Sequence, residues 1–416
     1  MKFLRIIARA ILLWCSLAHA LSEPVTMQEP SDGQELMTAN EGPAITIRVL
    51  LQQLPLQENA ELVITAPPVE DKSAELTVAC SDTPTTTYTL QQPLTVALRQ
   101  QELWLNRKKS KAQCIRCTTA TSTIIVNKQL YHGELYLLRW RDSLLIINQL
   151  PLEEYTSSVL KTESWPGWPA AYLEIQAVIS RTYALQKIMA SKRAKLPYHI
   201  IASNTHQTYS GIPKSSIFAQ AVKETEHLFL VQKIGKDGAI SPITAMYDSC
   251  CGGVIPAKIA GVDFSTAPYL RRTKQCTYCS ACKHYRWEVM LHEQELRSML
   301  QELAPALRTI KAITIAKRDK AGLIQTVRIS DGKKMVLVGA QDFYRAVKKI
   351  KSRAFTISNN KQHITFTGKG LGHQLGLCQW GAKGMLDQGF DIHGIFAFYY
   401  PGATLMKLKQ INYRIQ

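Results

Sequence analysis

Apolar residues recur along this chain in two rhythms, and the change between them divides it. From residue 45 to about 150 they alternate with polar residues in short runs bounded by turn signals. That period of two belongs to strands with one buried face. Segments 45–51, 61–65, 94–98, 122–126, 134–140 and 143–147 are predicted strands, rich in β-branched residues. Tyr131-His132-Gly133 reads as a turn before the strand at Glu134, and Lys108 to Lys111 as a solvated basic loop. The rhythm changes at Leu152-Glu153-Glu154-Tyr155. A short helix is predicted to lead into Thr162-Glu163-Ser164-Trp165-Pro166-Gly167-Trp168-Pro169, with a long helix starting near Ala170. There Ala171, Ile175, Val178, Thr182, Leu185 and Met189 follow a 4-3-4-3-4 spacing, one buried stripe. Glu174, Ala177, Arg181, Ala184 and Ile188 form the adjoining row, which sets Arg181 at the edge of the buried face.

Farther along, helices are expected at 217–227, 293–303, 342–350 and 379–388. Strands are expected at 228–232, 243–247, 312–316, 324–329, 334–338 and 363–367, with Asp331-Gly332 as a hairpin signal. The expected fold class is α+β: a central region built on the long helix, an N-terminal β-rich region and a smaller inserted β-hairpin region. The expected divisions are 1–20, a signal peptide; 21–44, a loose leader; 45–150, β-rich; 151–287, the first half of the core with a cysteine cluster; 288–340, an inserted helix and hairpin; and 341–416, the second half of the core.

Composition narrows the class. With 46% hydrophobic and 20% charged residues in 416, the chain is neither disordered nor a polytopic membrane protein. Its one long N-terminal apolar run, with Lys2, Arg5 and Arg9 before it and Ala18-His19-Ala20 after it, has the form of an export signal. An uncleaved membrane anchor is the other reading of that run. The net charge is +18, and cleavage removes three positive charges. An exported protein this basic suits an anionic partner such as a cell wall, and the export signal argues against nucleic acid. The expected location is therefore the periplasm or cell envelope.

Three groups of residues offer chemistry. Glu163 stands beside Trp165 and Trp168 ahead of a helix. A carboxyl group against a Trp face loses hydration and holds its proton more readily, the environment of a general acid in sugar chemistry. The same position also suits a Glu that satisfies backbone N–H groups at a helix start. His373 lies among Gly370, Gly372 and Gly376, either a closely held backbone near a ligand or a structural turn. Cys276, Cys279 and Cys282 form C-x-x-C-x-x-C, followed by His284. With Cys251 (or its neighbour Cys250) they have the spacing of a structural zinc site, though an exported protein also allows disulfides. Cys114-x-x-Cys117 with Cys80 reads as a disulfide. Cys378 reads as a buried structural thiol.

Several ordered segments together resemble the stage II sporulation protein D / amidase-enhancer (SpoIID/LytB) family. The first block holds Asn148-x-Leu150-x-Leu152-Glu153-x-Tyr155, Val159 to Glu163, Trp168-Pro169 and Gln176 to Leu185. The second is Gln207-x-Tyr209-x-Gly211 and Tyr247-x-Ser249-x-Cys251-Gly252-Gly253. The third runs from Gly368-Lys-Gly-Leu-Gly-His373 through Gly376 and Gln379-x-Gly381-Ala382 to Tyr399-Tyr400-Pro401-Gly402. The resemblance implies a lytic transglycosylase that cuts peptide-free peptidoglycan strands between MurNAc and GlcNAc and leaves 1,6-anhydroMurNAc ends. It implies Glu163 as the single acid/base. Trp165, Trp168, Arg181, Tyr183, His206, Tyr209, His373 and Gln379 are then expected near the glycan. It implies no cofactor for the chemistry. The family's other branch implies a non-catalytic enhancer of an N-acetylmuramoyl-L-alanine amidase. Three positions depart from the family pattern: Gln374 where Gly is usual, Cys378 where Ser is usual, and Asp248 where His is usual.

Overall fold

The computed structural model describes residues 45–68, 75–81, 86–234, 239–360 and 363–407. The expected signal peptide and leader lie outside these residues. The described residues form seven α-helices and many short strands, a mixed α+β fold. They divide into two compact units, one reaching to Phe229 together with Lys407, the other Leu230–Met406.

Two sheets open the first unit. In the seven-stranded one the order is Ile200–Ile201, Thr46–Pro55, Ser143–Pro151, Glu134–Trp140, Cys114–Thr118, Leu76–Cys80, Thr86–Leu90. In the six-stranded one it is Gln129–His132, Thr123–Val126, Ala60–Thr65, Leu94–Arg99, Glu102–Leu105, Lys108–Ser110. Leu62, Ile64, Val96 and Ile124 of one sheet meet Val78, Ile115, Leu137 and Ile146 of the other in a shared apolar core. Strand Ser143–Pro151 is buried on both faces, because Leu145 and Ile147 pack on its far side with Leu50.

Lys108–Ser110 is thus a strand and not the expected loop, and Tyr131-His132 close the strand Gln129–His132 where a turn was expected. Three hairpins of the six-stranded sheet turn on Gln100-Gln101, Asn106-Arg107 and Asn127-Lys128, every one of these residues at positive φ. Paired positive φ values match the twist of two-residue hairpins, which Gly usually supplies. Here Asn106 Oδ1 accepts from Thr95 N at 2.7 Å and Asn127 Oδ1 from Val63 N at 2.9 Å, which helps hold two of the turns without glycine. The C-x-x-C pair also sits in a strand. Residues three apart there face opposite sides, so Cys117 is buried and Cys114 half-buried, and they do not pair as expected.

Three helices follow: α1 (Leu152–Glu163), α2 (Ala170–Arg193) and α3 (Ile217–Glu224). They pack on one another. The expected stripe on α2 is too narrow a description, since every residue from Ile175 to Leu185 is buried. Ala171, its predicted first member, is exposed.

In the second unit α4 (Glu293–Met299) and α5 (Ala340–Ala346) cover two three-stranded antiparallel sheets. One holds Trp287–His292, His363–Gly368 and Phe355–Asn359; the other is the expected hairpin region, Ala312–Arg318, Ile324–Ser330 and Met335–Gly339. Leu296, Ile313, Val327, Phe343 and Phe366 fill the core between them. The strand expected at 243–247 is replaced by Ala239–Pro242 and Tyr247–Asp248 on either side of buried Ile243 and Ala245. Tyr247–Asp248 pairs in parallel with Leu377–Cys378, just ahead of α6 (Gln379–Leu386) and α7 (Ile392–Tyr399). Among the described residues no helix is long and apolar enough to cross a membrane.

Candidate functional site

The sequence itself puts Glu163 at the end of a helix. Trp165 and Pro169's neighbour Trp168 both precede a proline, which drives a residue out of the helical region, and Gly167 takes φ +76°. So α1 stops at Glu163 and α2 restarts at Ala170. Trp165 and Trp168 stack with ring centres 6.2 Å apart, and Trp168 meets Tyr172 edge-on at 4.4 Å.

Glu163 is half-buried and held from outside its helix. Its Oε1 accepts from the backbone N–H of Thr208 at 2.6 Å and from the Thr208 hydroxyl at 2.5 Å. Thr162 donates its hydroxyl to Thr208 O at 2.6 Å, so the segment is fixed from both directions. On either side of Thr208, Gln207 and Tyr209 are buried. Gln207 Oε1 accepts from Tyr155 OH at 3.0 Å, and Tyr209 OH donates to Asn148 Oδ1 at 2.6 Å. Asn148 in turn donates to the carbonyls of His132 and Glu134 at 2.8 and 3.0 Å. Gly211 (φ +68°) closes the segment where an added Cβ would lie 2.1 Å from Leu130 O, so glycine is required.

Tyr183 of α2 also belongs here. Burial pushes its phenol up, and the charge of Glu163 adds to the effect. The ring of His206 lies 6.5 Å from that of Tyr183, and the Lys187 ammonium sits 5.2 Å over the Tyr183 ring. Burial, with Lys187 as a second cause, lowers His206 to about 3, so its imidazole is neutral near pH 7. His206 Nδ1 accepts from Ile201 N at 3.0 Å.

Arg181 is not at an edge. It is fully buried, and its guanidinium grips Glu153 of α1 with contacts of 2.7 to 2.9 Å. It also donates to Val222 O at 3.1 Å and Leu228 O at 3.4 Å. These bonds spend the cation on joining α1, α2 and α3.

The remaining expected site residues, His373 and Gln379, belong to the second unit. His373 Nδ1 accepts from Leu375 N at 3.1 Å, and burial lowers the imidazole to about 4. Gln379 opens α6 and is buried. Around them two glycine motifs meet backbone to backbone. Cys250 N donates to Leu371 O at 3.1 Å and Leu371 N to Cys250 O at 2.8 Å. An added Cβ on Gly252 would lie 2.6 Å from Gly370 N, and one on Gly370 2.7 Å from Cys250 O. Asp248, where the family usually has His, accepts from Gln374 N at 2.6 Å. Burial raises its carboxyl to about 8, against the pull of that bond.

The cysteines converge, with one correction. The sulfurs of Cys251, Cys276, Cys279 and Cys378 all lie within 4.8 Å of one another, and all four residues are buried. Cys378 takes the place expected for Cys282, whose sulfur instead meets Cys250 and accepts from His284 N at 3.3 Å. The parallel strand pair delivers Cys378, because Asp248 lies opposite it in register. This group could hold a metal ion.

The Glu163 and Gln207–Gly211 segments are two of the blocks on which the family resemblance rests, and they lie against each other. A family model described as Stage II sporulation protein (SpoIID) matches residues 141–231, the stretch that holds both. A relative from Brachyspira hyodysenteriae, an uncharacterized protein, is 31% identical over 287 residues, 68% of this chain and 74% of that protein. Stage II sporulation protein D of Bacillus amyloliquefaciens is 26% identical over 278 residues, 64% of this chain and 77% of that protein. The chain belongs to the SpoIID/LytB family. An amidase enhancer of Bacillus subtilis is 23% identical over 304 residues, 59% of this chain, and this SpoIID/LytB chain spans only 39% of that longer protein. A second model, a domain of unknown function, matches residues 268–376.

Within this family member three contributors escaped sequence reasoning. Thr208 was one, standing between Gln207 and Tyr209 with no signal of its own in the sequence. Glu153 lies in a family motif that gives no sign of its pairing with Arg181. Cys378 carried no spacing signal at all.

Proposed function

We propose that this protein is an exported lytic transglycosylase of the cell envelope, acting on peptidoglycan glycan strands stripped of stem peptides. The observation that supports it best is the grip of Thr208 on Glu163 at the end of α1. One carboxyl oxygen is fixed by two donors while the residue stays half-exposed, which orients a single acid/base toward an incoming sugar. In the reaction Glu163 gives its proton to the glycosidic oxygen as the bond from that oxygen to the muramyl C1 breaks. The carboxylate then takes the proton of the muramyl 6-hydroxyl as its oxygen bonds to C1. No water is consumed, and Glu163 returns to its starting state. One carboxyl group therefore suffices, unlike the two of ordinary glycoside hydrolysis. The stacked Trp165 and Trp168 offer apolar faces to sugar rings beside it.

The test is mass spectrometry of peptide-free strands incubated with the purified protein and with Glu163→Gln. We expect anhydro-muramyl products from the wild type, none from the variant, and unchanged strand binding by both. Cleavage by Glu163→Gln at the wild-type rate would remove Glu163 from the chemistry. The second reading, a glycan-binding enhancer of a cell-wall amidase, draws on the Bacillus subtilis relative's name. It predicts intact strands with the protein alone and faster amidase turnover in its presence.

A further inference from the structure

We propose that Cys251, Cys276, Cys279 and Cys378 form a closed tetrahedral zinc site that pins the last third of the chain to the turn at residues 250–253. Their sulfurs are mutual neighbours, all within 4.8 Å, rather than two separate pairs. Four thiolates on one zinc at about 2.3 Å stand roughly 3.8 Å apart by tetrahedral geometry. Cys251 Sγ and Cys279 Sγ lie 3.8 Å apart. An iron–sulfur cluster spreads its thiolates over several irons and so needs them farther apart. An all-sulfur tetrahedral set marks zinc or an iron–sulfur centre, and the close spacing of the four sulfurs favours the single zinc.

The surroundings suit thiolates. Cys251 N donates to Cys378 Sγ at 3.2 Å, and the hydroxyl of Tyr399 lies 3.2 Å from Cys276 Sγ. Outer partners of this kind orient and stabilise metal-bound sulfur. Gly381 leaves the necessary room, since an added Cβ would lie 2.8 Å from Cys276 Sγ and 2.0 Å from the Tyr399 hydroxyl. Arg272, fully enclosed, stacks over Tyr399 at 5.5 Å and brings a positive charge toward a site that carries two negative ones when filled. Binding releases up to four protons as the thiols become thiolates, with no redox change. All four positions come from buried protein ligands, so no coordination site is left for substrate and the metal's role is structural.

The proposal stands independently of the glycan chemistry. Its test is metal analysis of the whole reduced chain purified without added metal, followed by titration of metal-stripped protein with zinc and with cobalt alone. We expect one zinc per chain, and with cobalt the strong visible bands of tetrahedral thiolate coordination. Cys378→Ser is expected to lose stoichiometric metal and Cys282→Ser to keep it, while Tyr399→Phe weakens binding roughly tenfold. Should Cys378→Ser fold poorly, Cys282→Ser decides: full four-thiolate cobalt bands in that variant exclude Cys282 from the ligand set, and their loss would overturn the assignment. Folded, reduced protein that takes up neither ion would overturn the site. So would an iron–sulfur spectrum, metal retained by Cys378→Ser but lost by Cys282→Ser, or a mass showing disulfides among the four with no metal bound.

Discussion

His199 shows how one side chain fixes a response to acid. It is buried, its Nδ1 accepts from Arg48 N at 3.0 Å, and its Nε2 has no hydrogen-bond partner. Protonation would add a second N–H with nothing to receive it, beside Arg48 and Lys192. Burial, then those two charges, lower the imidazole from 6.5 to about 3. The folded state thus prefers neutral His199, so its contribution is complete above pH 6.5 and is lost as the pH falls toward 3. One such group contributes about 3 kcal/mol of acid destabilisation between pH 7 and pH 4. His199→Asn keeps an acceptor for Arg48 and removes the titration. Denaturant melts at the two pH values are expected to converge by about that amount in the variant. A variant as acid-sensitive as the wild type would show that His199 does not set the response. Legibility at this scale was uneven: the turn chemistry of Trp165 to Pro169 marked where Glu163 stands, yet nothing adjacent in sequence announced Thr208, which reaches it through a loop 45 residues on.

Among the elements, α2 is where periodicity misled. A helix buried along one face shows a stripe, but α2 is enclosed by α1, α3 and the strand Ile200–Ile201, so its polar residues are buried too. Arg181 then becomes the link among three helices. Cutting back one partner of a buried ion pair typically costs 3–5 kcal/mol, because the other charge stays behind unpaired. Glu153 keeps some exposure, its side chain being 29% accessible, so about 3 kcal/mol is the fitting expectation for Arg181→Met. Thermal melts measure the loss, and glycan binding by the fraction still folded is expected to be unchanged. A stable variant with weakened binding would return Arg181 to the glycan. Hairpins were legible where Gly marks the turn, as at Asp331-Gly332. Those turning on Gln-Gln or Asn-Arg were not, because tertiary pairing carries their positive φ values.

For the molecule as a whole, sequence order told which segments matter but not which meet. The blocks sort by unit: Glu163 with Gln207–Gly211 in the first, and the Cys250–Gly253 turn with Gly370 and Cys378 in the second. Charge sorts the same way. Of 50 Lys and Arg, 25 lie in residues 230–406, against only 12 of the 32 Asp and Glu, a balance of +13 there and +5 elsewhere. Under the proposed function, attraction to an anionic wall would therefore rest mainly on the second unit, while the candidate acid/base belongs to the first. Exposed charges are screened within about 10 Å at 0.1 M salt and about 3 Å at 1 M. Sedimentation with purified walls is expected to show strong retention at low salt and release toward 1 M. Reversing four exposed lysines, Lys311, Lys317, Lys333 and Lys334 to Glu, shifts the balance of the second unit to +5. That variant is expected to leave the wall at lower salt while still cutting short soluble strands at the wild-type rate. Retention unaffected by salt would mean that apolar and hydrogen-bonding contacts hold the wall instead. Slowed cutting of soluble strands would place the charge in catalysis rather than in attachment.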